Sequence, residues 1–324
     1  MVEALELDLE DYGRGRVLQP IRGFGLGMMG AALVHNAHGP APVSYGIRRC
    51  EFDHYLLRRS GAEFHPGIAA STLERDGRDW VVNGALRAPL LVGAGGHFCP
   101  VARSLGAELG RGESVVGAQE FEIHLSPGQA ARCTVRGDMP QFYFYPDLAG
   151  YAWTFRKGDW LNVGIGRKNP RRLAEHAGDF LAALVRDGVI GEDMARARPS
   201  GHAYLLYPQA ARPLVADGAL LVGDAAGLAY PESGEGIRPA VESALLAAEA
   251  LRACAGRYPG DRLAPYARAI EARYGPRRRA QAATAAPGAL KRLAAALLMR
   301  THWFTREIVT RRWFLHEHVA PLRA

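Results

Sequence analysis

Ala219–Leu220–Leu221–Val222–Gly223–Asp224–Ala225–Ala226–Gly227, followed by Pro231–Glu232–Ser233–Gly234–Glu235–Gly236–Ile237, decides the reading of this 324-residue chain. An apolar strand-type run ends on Gly-Asp, a glycine-rich turn follows, and a long Ala/Leu helix begins near 236. That order seats a polar, phosphate-bearing cofactor, because backbone N–H groups and the helix dipole meet the ligand while glycines let the chain come close. The Asp accepts hydrogen bonds from ribityl or ribose hydroxyls. Strand, acid, glycines and helix in sequence are a far stronger signal than a lone Gly-Asp pair.

Working outward, the length suits one large or two interleaved domains with a sizeable core. No apolar run reaches the ~18 residues of a membrane span, and the acidic start Met1–Val2–Glu3–Ala4–Leu5–Glu6–Leu7 is unlike a secretory signal. Net charge is +7, carried almost wholly by Arg, since the only lysines are Lys157, Lys168 and Lys291. The surplus gathers at Arg277–Arg279 and Arg311–Arg312. No recognition motif supports nucleic acid as a partner; a solvated basic face, an acidic membrane surface or a phosphorylated substrate fit better. Cys50, Cys99, Cys133 and Cys254 are widely spaced, which argues against a bound metal or disulfide frame and for a reducing cytoplasm.

Periodicity predicts a short helix over 3–13, glycine-rich strands and turns over 15–45, and a helix from Phe52 to Arg59. Strands are expected at 79–83 and 88–94. An antiparallel sheet is expected over 115–166, where aromatics alternate between the turns Pro146–Asp147 and Lys157–Asp159. Helices are expected at 171–188 and 236–255, strands at 202–208 and 219–223, and a mostly helical chain from 261.

Four segments share one chemistry. Arg49-x-x-Phe52–Asp53-x-x-Leu56 opens a helix. Gly93–Ala94–Gly95–Gly96 is a turn at a strand end. Tyr151-x-Trp153-x-Phe155–Arg156 precedes Gly164–Ile165–Gly166, and the fourth segment is the Gly223–Asp224 block. Together they resemble the geranylgeranyl reductase family of flavoproteins, of p-hydroxybenzoate-hydroxylase-like fold, over nearly the whole chain. The aromatic strand with its GxG partner is the most family-specific part.

The resemblance implies an α/β (α+β) fold. A three-layer, Rossmann-like FAD-binding domain (1–114 and 202–260) would be interleaved with an antiparallel substrate sheet (115–201) and followed by a helical region (261–324). It implies FAD as cofactor, NAD(P)H or reduced ferredoxin as electron donor, and a polyprenyl or related lipid whose double bonds are reduced. By the same resemblance, Arg49, Gly95, Gly223, Asp224, Gly234, Gly236 and Ile237 bind the flavin. Tyr151, Trp153, Phe155, Gly164 and Gly166 flank the substrate channel. Arg156 stands where the family has Pro and would add a phosphate contact at the channel mouth.

The family's opening strand–GxGxxG–helix unit has no counterpart: Gly23–Phe24–Gly25–Leu26–Gly27 sits in no βαβ pattern. The expectation is therefore an N-terminally truncated FAD domain with an open apolar groove beside the Gly223–Asp224 strand. Other readings stay open. A flavin hydroxylase of the same fold usually has Asp where Gly95 stands, a halogenase motif is absent, and a non-catalytic lipid-binding remnant would take up no FAD. Cys99 and Cys50 admit redox roles against the commoner one of small buried residues. His97 and Glu232 admit acid roles, and Glu235 reads equally as an acid near the flavin or a helix-start residue. The Ala/Leu, aromatic and Arg mixture of 289–315 suits an interfacial helix or one that caps a core.

Overall fold

The computed structural model describes residues 1–108, 113, 115–207, 209–277 and 288–322; Arg278 and Arg279 lie outside them. Alternating bulky and small residues make the central feature, a seven-stranded sheet. Its strand order is Ser200–Leu205, Val115–His124, Trp160–Arg167, Gly150–Lys157, Gln141–Phe144, Gly23–Met28, Val34–Ala37. All pairings are antiparallel except Gln141–Phe144 with Gly23–Met28. One face, through Phe121, Ile123, Leu161, Val163 and Ile165, packs on the amphipathic helix Leu173–Arg186, whose apolar stripe supplies the matching surface. The other face carries Phe24, Leu26, Met28, Phe142 and the aromatics of 151–155, which meet the C-terminal helical segment Phe304–Phe314.

The sheet thus draws two strands from 15–45 and one from 200–205, so it is not confined to 115–201. Gly23–Met28 reads as a period-two strand once placed: Phe24, Leu26 and Met28 enter the aromatic core, and the glycines face the folded-over hairpin of His35 and Asn36. Ser44–Ile47 pairs with Leu18–Ile21 and leads into the helix Arg49–Arg59, whose Phe52 and Tyr55 pack on Tyr12.

A second layer is built on Ala219–Leu221. This strand runs parallel to Leu91–Gly93 and forms an Asp217–Gly218 hairpin with Val215–Ala216. The helices Ile237–Ala253 and Gly260–Tyr274 cover it, sharing a core with Trp80, Cys99, Leu263 and Tyr266. The groove expected beside the Gly223–Asp224 strand is not found. Ala219–Leu221 is flanked on both sides and fully buried, because the hairpin folds back on it. The open edge lies one strand further out: among the described residues Leu91–Gly93 pairs only with Ala219–Leu221, and Val92 is 44% exposed. No helix among the described residues is long and apolar enough to cross a membrane.

Candidate functional site

Two parallel strands bring two glycine turns to one end of the small sheet, with Gly95 after Leu91–Gly93 and Gly223–Gly227 after Ala219–Leu221. Ligands of open α/β sheets bind at such carboxyl ends. The second turn is held from behind. Buried Arg212 donates to the Ala225 carbonyl (3.1 Å), to Glu113 (3.0 Å) and to Nδ1 of His97 (2.9 Å). Arg277 donates to the Ala226 carbonyl at 2.6 Å, and Ser243 accepts the Gly223 N–H at 3.0 Å. His97 is therefore an acceptor buried under the turn, kept neutral because burial and Arg212 lower its pKa. Cys99 is likewise buried, beneath Gly93 and Gly95.

Asp224 differs from its neighbours. Its carboxylate accepts no hydrogen bond from any described residue. Burial raises its pKa against the pull of Arg49, His202 and Arg212. Gly236, where the helix Ile237–Ala253 begins, lies against it: a Cβ there would sit 3.0 Å from Asp224 Oδ1. Asp224 is half-buried, so its oxygens keep unused acceptor capacity toward the space that Gly236 leaves beside them. Arg49, at the start of its helix, is exposed and chelated by Asp53 at 3.1 and 3.2 Å. Gly234 adopts φ +68° under the Tyr204 hydroxyl, and Ile237 packs toward Phe52 and Tyr55. These residues meet at the turn 231–237.

Two cavities flank that turn. The larger, about 910 Å³, is lined by Glu235, Ile237, Arg238 and Glu242 on one side and by Phe142, Phe155, Glu120, Glu122, Lys157 and Asn162 of the sheet on the other. Arg49 and Cys50 also line it. The smaller, about 420 Å³, lies among Pro231–Gly234, Tyr151, Gly166, Tyr204 and the helix Ala289–Leu298.

The aromatic motif runs between them. Trp153 pairs across strands with Gly164, and Tyr151 with Gly166. A Cβ at residue 164 would come within 2.3 Å of the indole, so only glycine lets Trp153 lie flat across the neighbouring strand. Tyr151 and Gly166 line the small cavity, Phe155 lines the large one, and Trp153 lies between. The indole N–H donates to Asn162 Oδ1 at 2.7 Å, and Asn162 donates to Glu120 at 3.2 Å. The Tyr151 hydroxyl donates to the Ser233 carbonyl, tying sheet to turn. Arg156 is not at a channel mouth. Strand alternation points it to the opposite face, where it donates to the carbonyls of Gly158, Ala130 and Cys133.

Several site residues escaped the sequence reading. Glu122 accepts from Lys157 at 2.8 Å, and Lys157 also holds the Ile47 carbonyl at 3.0 Å. Glu242, on the wall of the large cavity, accepts from Arg238, Arg273 and Tyr274 at 2.6–3.0 Å. Desolvation alone would raise its pKa, but these donors win and lower it. Glu235 shows the opposite sign. Its Oε1 accepts the Arg238 N–H at 2.8 Å, and burial still raises its pKa. The sequence signal for these groups was the Glu120/Glu122 alternation, equally expected of a solvated face.

No family model matches the chain. It is 28% identical over 222 residues to the digeranylgeranylglycerophospholipid reductase of Methanocaldococcus jannaschii, covering 63% of this chain and 54% of that protein. It is 30% identical over 249 residues to digeranylgeranylglycerophospholipid reductase 3 of Methanosphaera stadtmanae, covering 71% of this chain and 60% of that protein. The chain thus spans a little over half the length of these curated relatives. Among solved structures it is similar to a geranylgeranyl bacteriochlorophyll reductase-like protein of Thermoplasma acidophilum, with a TM-score of 0.64, 21% identity, and coverage of 88% of this chain and 72% of that one. It is also similar to the halogenase PltM in complex with FAD, with a TM-score of 0.60, 15% identity, and coverage of 78% and 57%. The two solved structures share the fold, and the sequence relatives agree with the resemblance to the geranylgeranyl reductase family carried by the four motifs.

Proposed function

We propose that this chain is an FAD-dependent reductase that saturates carbon–carbon double bonds of a polyprenyl or related isoprenoid lipid, with NAD(P)H or reduced ferredoxin as electron donor, and that it meets its lipid at a membrane surface. The observation that carries the reading is Asp224, a half-buried carboxylate at a strand end that takes no hydrogen bond from a described residue, with room kept for a ligand by Gly236. Ribityl hydroxyls would supply the missing donors.

Arg49, Gly95, Gly223, Gly234, Gly236 and Ile237 would complete the seat. Arg49 would lend positive charge, and the amides that open the Ile237 helix would favour negative charge on the pyrimidine edge. Bound and reduced, FAD supplies a hydride. The protein's own residues do the rest. The aromatic face of the sheet, through Tyr151, Trp153 and Phe155, positions an apolar chain and excludes water. Saturation also needs a proton, and Glu235, a carboxyl on the large cavity whose pKa burial raises, is the group placed to pass one.

Titration with FAD, followed by flavin fluorescence, tests the reading. The expected result is stoichiometric uptake, bleaching by dithionite under anaerobic conditions, and loss of affinity in Asp224→Asn. Protein that stays colourless and takes up no added FAD overturns it.

A further inference from the structure

The helix Ala289–Leu298 has no buried residue. Of the twelve exposed large hydrophobic side chains among the described residues, five fall on it or just beyond. They are Leu290 (81% exposed), Leu293 (59%), Leu297 (56%), Leu298 (41%) and Trp303 (65%). Positions 290, 293, 297 and 298 share one helical face. From Gly288 to Thr305 the chain carries Lys291, Arg292 and Arg300 and no carboxylate. The ion pairs of the C-terminal region join Arg306 and Arg311 to Glu307 and Glu317 and leave these three cations out.

We propose that this face docks on an anionic lipid bilayer and that the small cavity opens toward it. An apolar helical face bordered by cations that form no ion pair among the described residues, with an exposed indole, fits the acyl–headgroup boundary of a membrane. A second copy of the chain fits it poorly. A two-fold interface would set the same Lys291, Arg292 and Arg300 against one another with no carboxylate from Gly288 to Thr305 to answer them. The bilayer supplies the opposite charge. The face is also continuous with the cavity, since Ala294, Ala295, Leu298 and Met299 of the same segment line it opposite Pro231–Gly234. Lys168 and Lys291 stand among the lining residues with a single carboxylate, Glu232, and all three are exposed. An anionic headgroup held by these lysines would leave its chain free to enter. The cavity's role rests on the lipid-reductase reading, but the docking does not.

Co-sedimentation of the full chain with sucrose-loaded vesicles tests this. Binding is expected to an equal mixture of phosphatidylcholine and phosphatidylglycerol, weakening with salt, and to be slight on phosphatidylcholine alone. Arg292→Gln with Arg300→Gln should weaken binding roughly tenfold to thirtyfold, since each surface cation contributes a several-fold factor. Leu290→Ser with Leu293→Ser and Leu297→Ser should weaken it further and abolish the blue shift of Trp303 emission on vesicles. Melting curves should match the parent, because the substituted side chains are exposed. Absence of binding to either vesicle, or binding unchanged in both variants, overturns the proposal. So does a dimeric parent that the leucine variant converts to monomer. Vesicle binding by protein that takes up no FAD would leave the docking standing and remove the reductase reading; FAD uptake without vesicle binding would remove the docking and the meeting at a membrane surface and leave the reductase chemistry.

Discussion

The two cavities on either side of the turn 231–237 are built by different means. The large one joins an apolar lining, with Phe24, Phe142 and Phe155, to hydrogen-bonded carboxylates: Glu242 with Arg238, Arg273 and Tyr274, Glu122 with Lys157, and Glu120 with Asn162. The small one is set by shape, from Met28, Phe144, Tyr204, Leu298 and Met299, with Lys168, Lys291 and Glu232 among its lining residues and no ion pair between them. Hydrogen-bonded charge fixes positions, and its loss leaves a partner stranded. Apolar packing fixes volume and tolerates exchange. The large cavity therefore suits chemistry at a defined point, and the small one suits a flexible chain.

The largest effect should come from breaking the first device. Glu242→Ala strands Arg238 and Arg273 and should cost about 3–5 kcal/mol in urea unfolding. Met299→Ala, which removes a buried side chain from the rim of the small cavity, should cost about 2 kcal/mol, the low end for such truncations because the site already borders open space. Equal losses would erase the contrast. Next in size is Asp224→Asn, which keeps the shape and removes the charge. It should weaken FAD about tenfold to a hundredfold in fluorescence titrations and leave vesicle binding untouched.

What the sequence showed and what it hid divide along the same line. The strand into Gly223–Asp224 and the helix 237–253 were legible because apolar run, glycine turn and Ala/Leu periodicity are local signals. The Tyr151/Trp153/Phe155 strand was legible for the same reason, and its facing glycines lie only a hairpin away. Gly23–Met28 was not placed, since its partner Gln141–Phe144 lies more than a hundred residues on and parallel to it, and nothing local specifies such a pairing. The charged wall was hidden too. Glu242 in an Ala/Leu helix looks like any solvated carboxylate until Arg273 and Tyr274 arrive from the next helix. Arg156 misled by its neighbours: strand alternation turned it away from the aromatic side chains beside it.

Two carboxylates on the large cavity sharpen the contrast through pH, with opposite signs. Glu242 has a folded pKa below its ordinary 4.5, so its contribution is complete above that value and is lost as pH falls through the folded pKa. Glu235 has a folded pKa above 4.5, so its contribution is complete below that value and is lost as pH rises through the folded pKa. Urea midpoints against pH should show Glu242→Gln flattening the acid limb and Glu235→Gln flattening the limb above 4.5. A tenfold change in proton affinity on folding corresponds to roughly 1.4 kcal/mol. In the loaded enzyme Glu235→Gln should also slow turnover, because the amide keeps the bond to the Arg238 N–H and has no proton to give.

The smallest effect probes the bond that joins the cavities. The Tyr151 hydroxyl donates to the Ser233 carbonyl, and burial raises its pKa well above the usual phenol value, so it remains a donor at any working pH. Tyr151→Phe keeps the ring against Phe142 and Phe314 and deletes only that bond, at a cost of about 1 kcal/mol. Because Ser233 lies in the turn that also carries Glu235 and Gly236, the loss should reach both sides: a slightly lower urea midpoint and a severalfold weaker FAD affinity, well short of that in Asp224→Asn. Trp153→Phe makes the control. It removes the bond to Asn162, which ends on the sheet and never touches the turn, so it should lower stability by a similar amount and leave FAD affinity alone. If both variants changed FAD affinity equally, the turn would owe its position to the aromatic face as a whole, and the two cavities would respond as one.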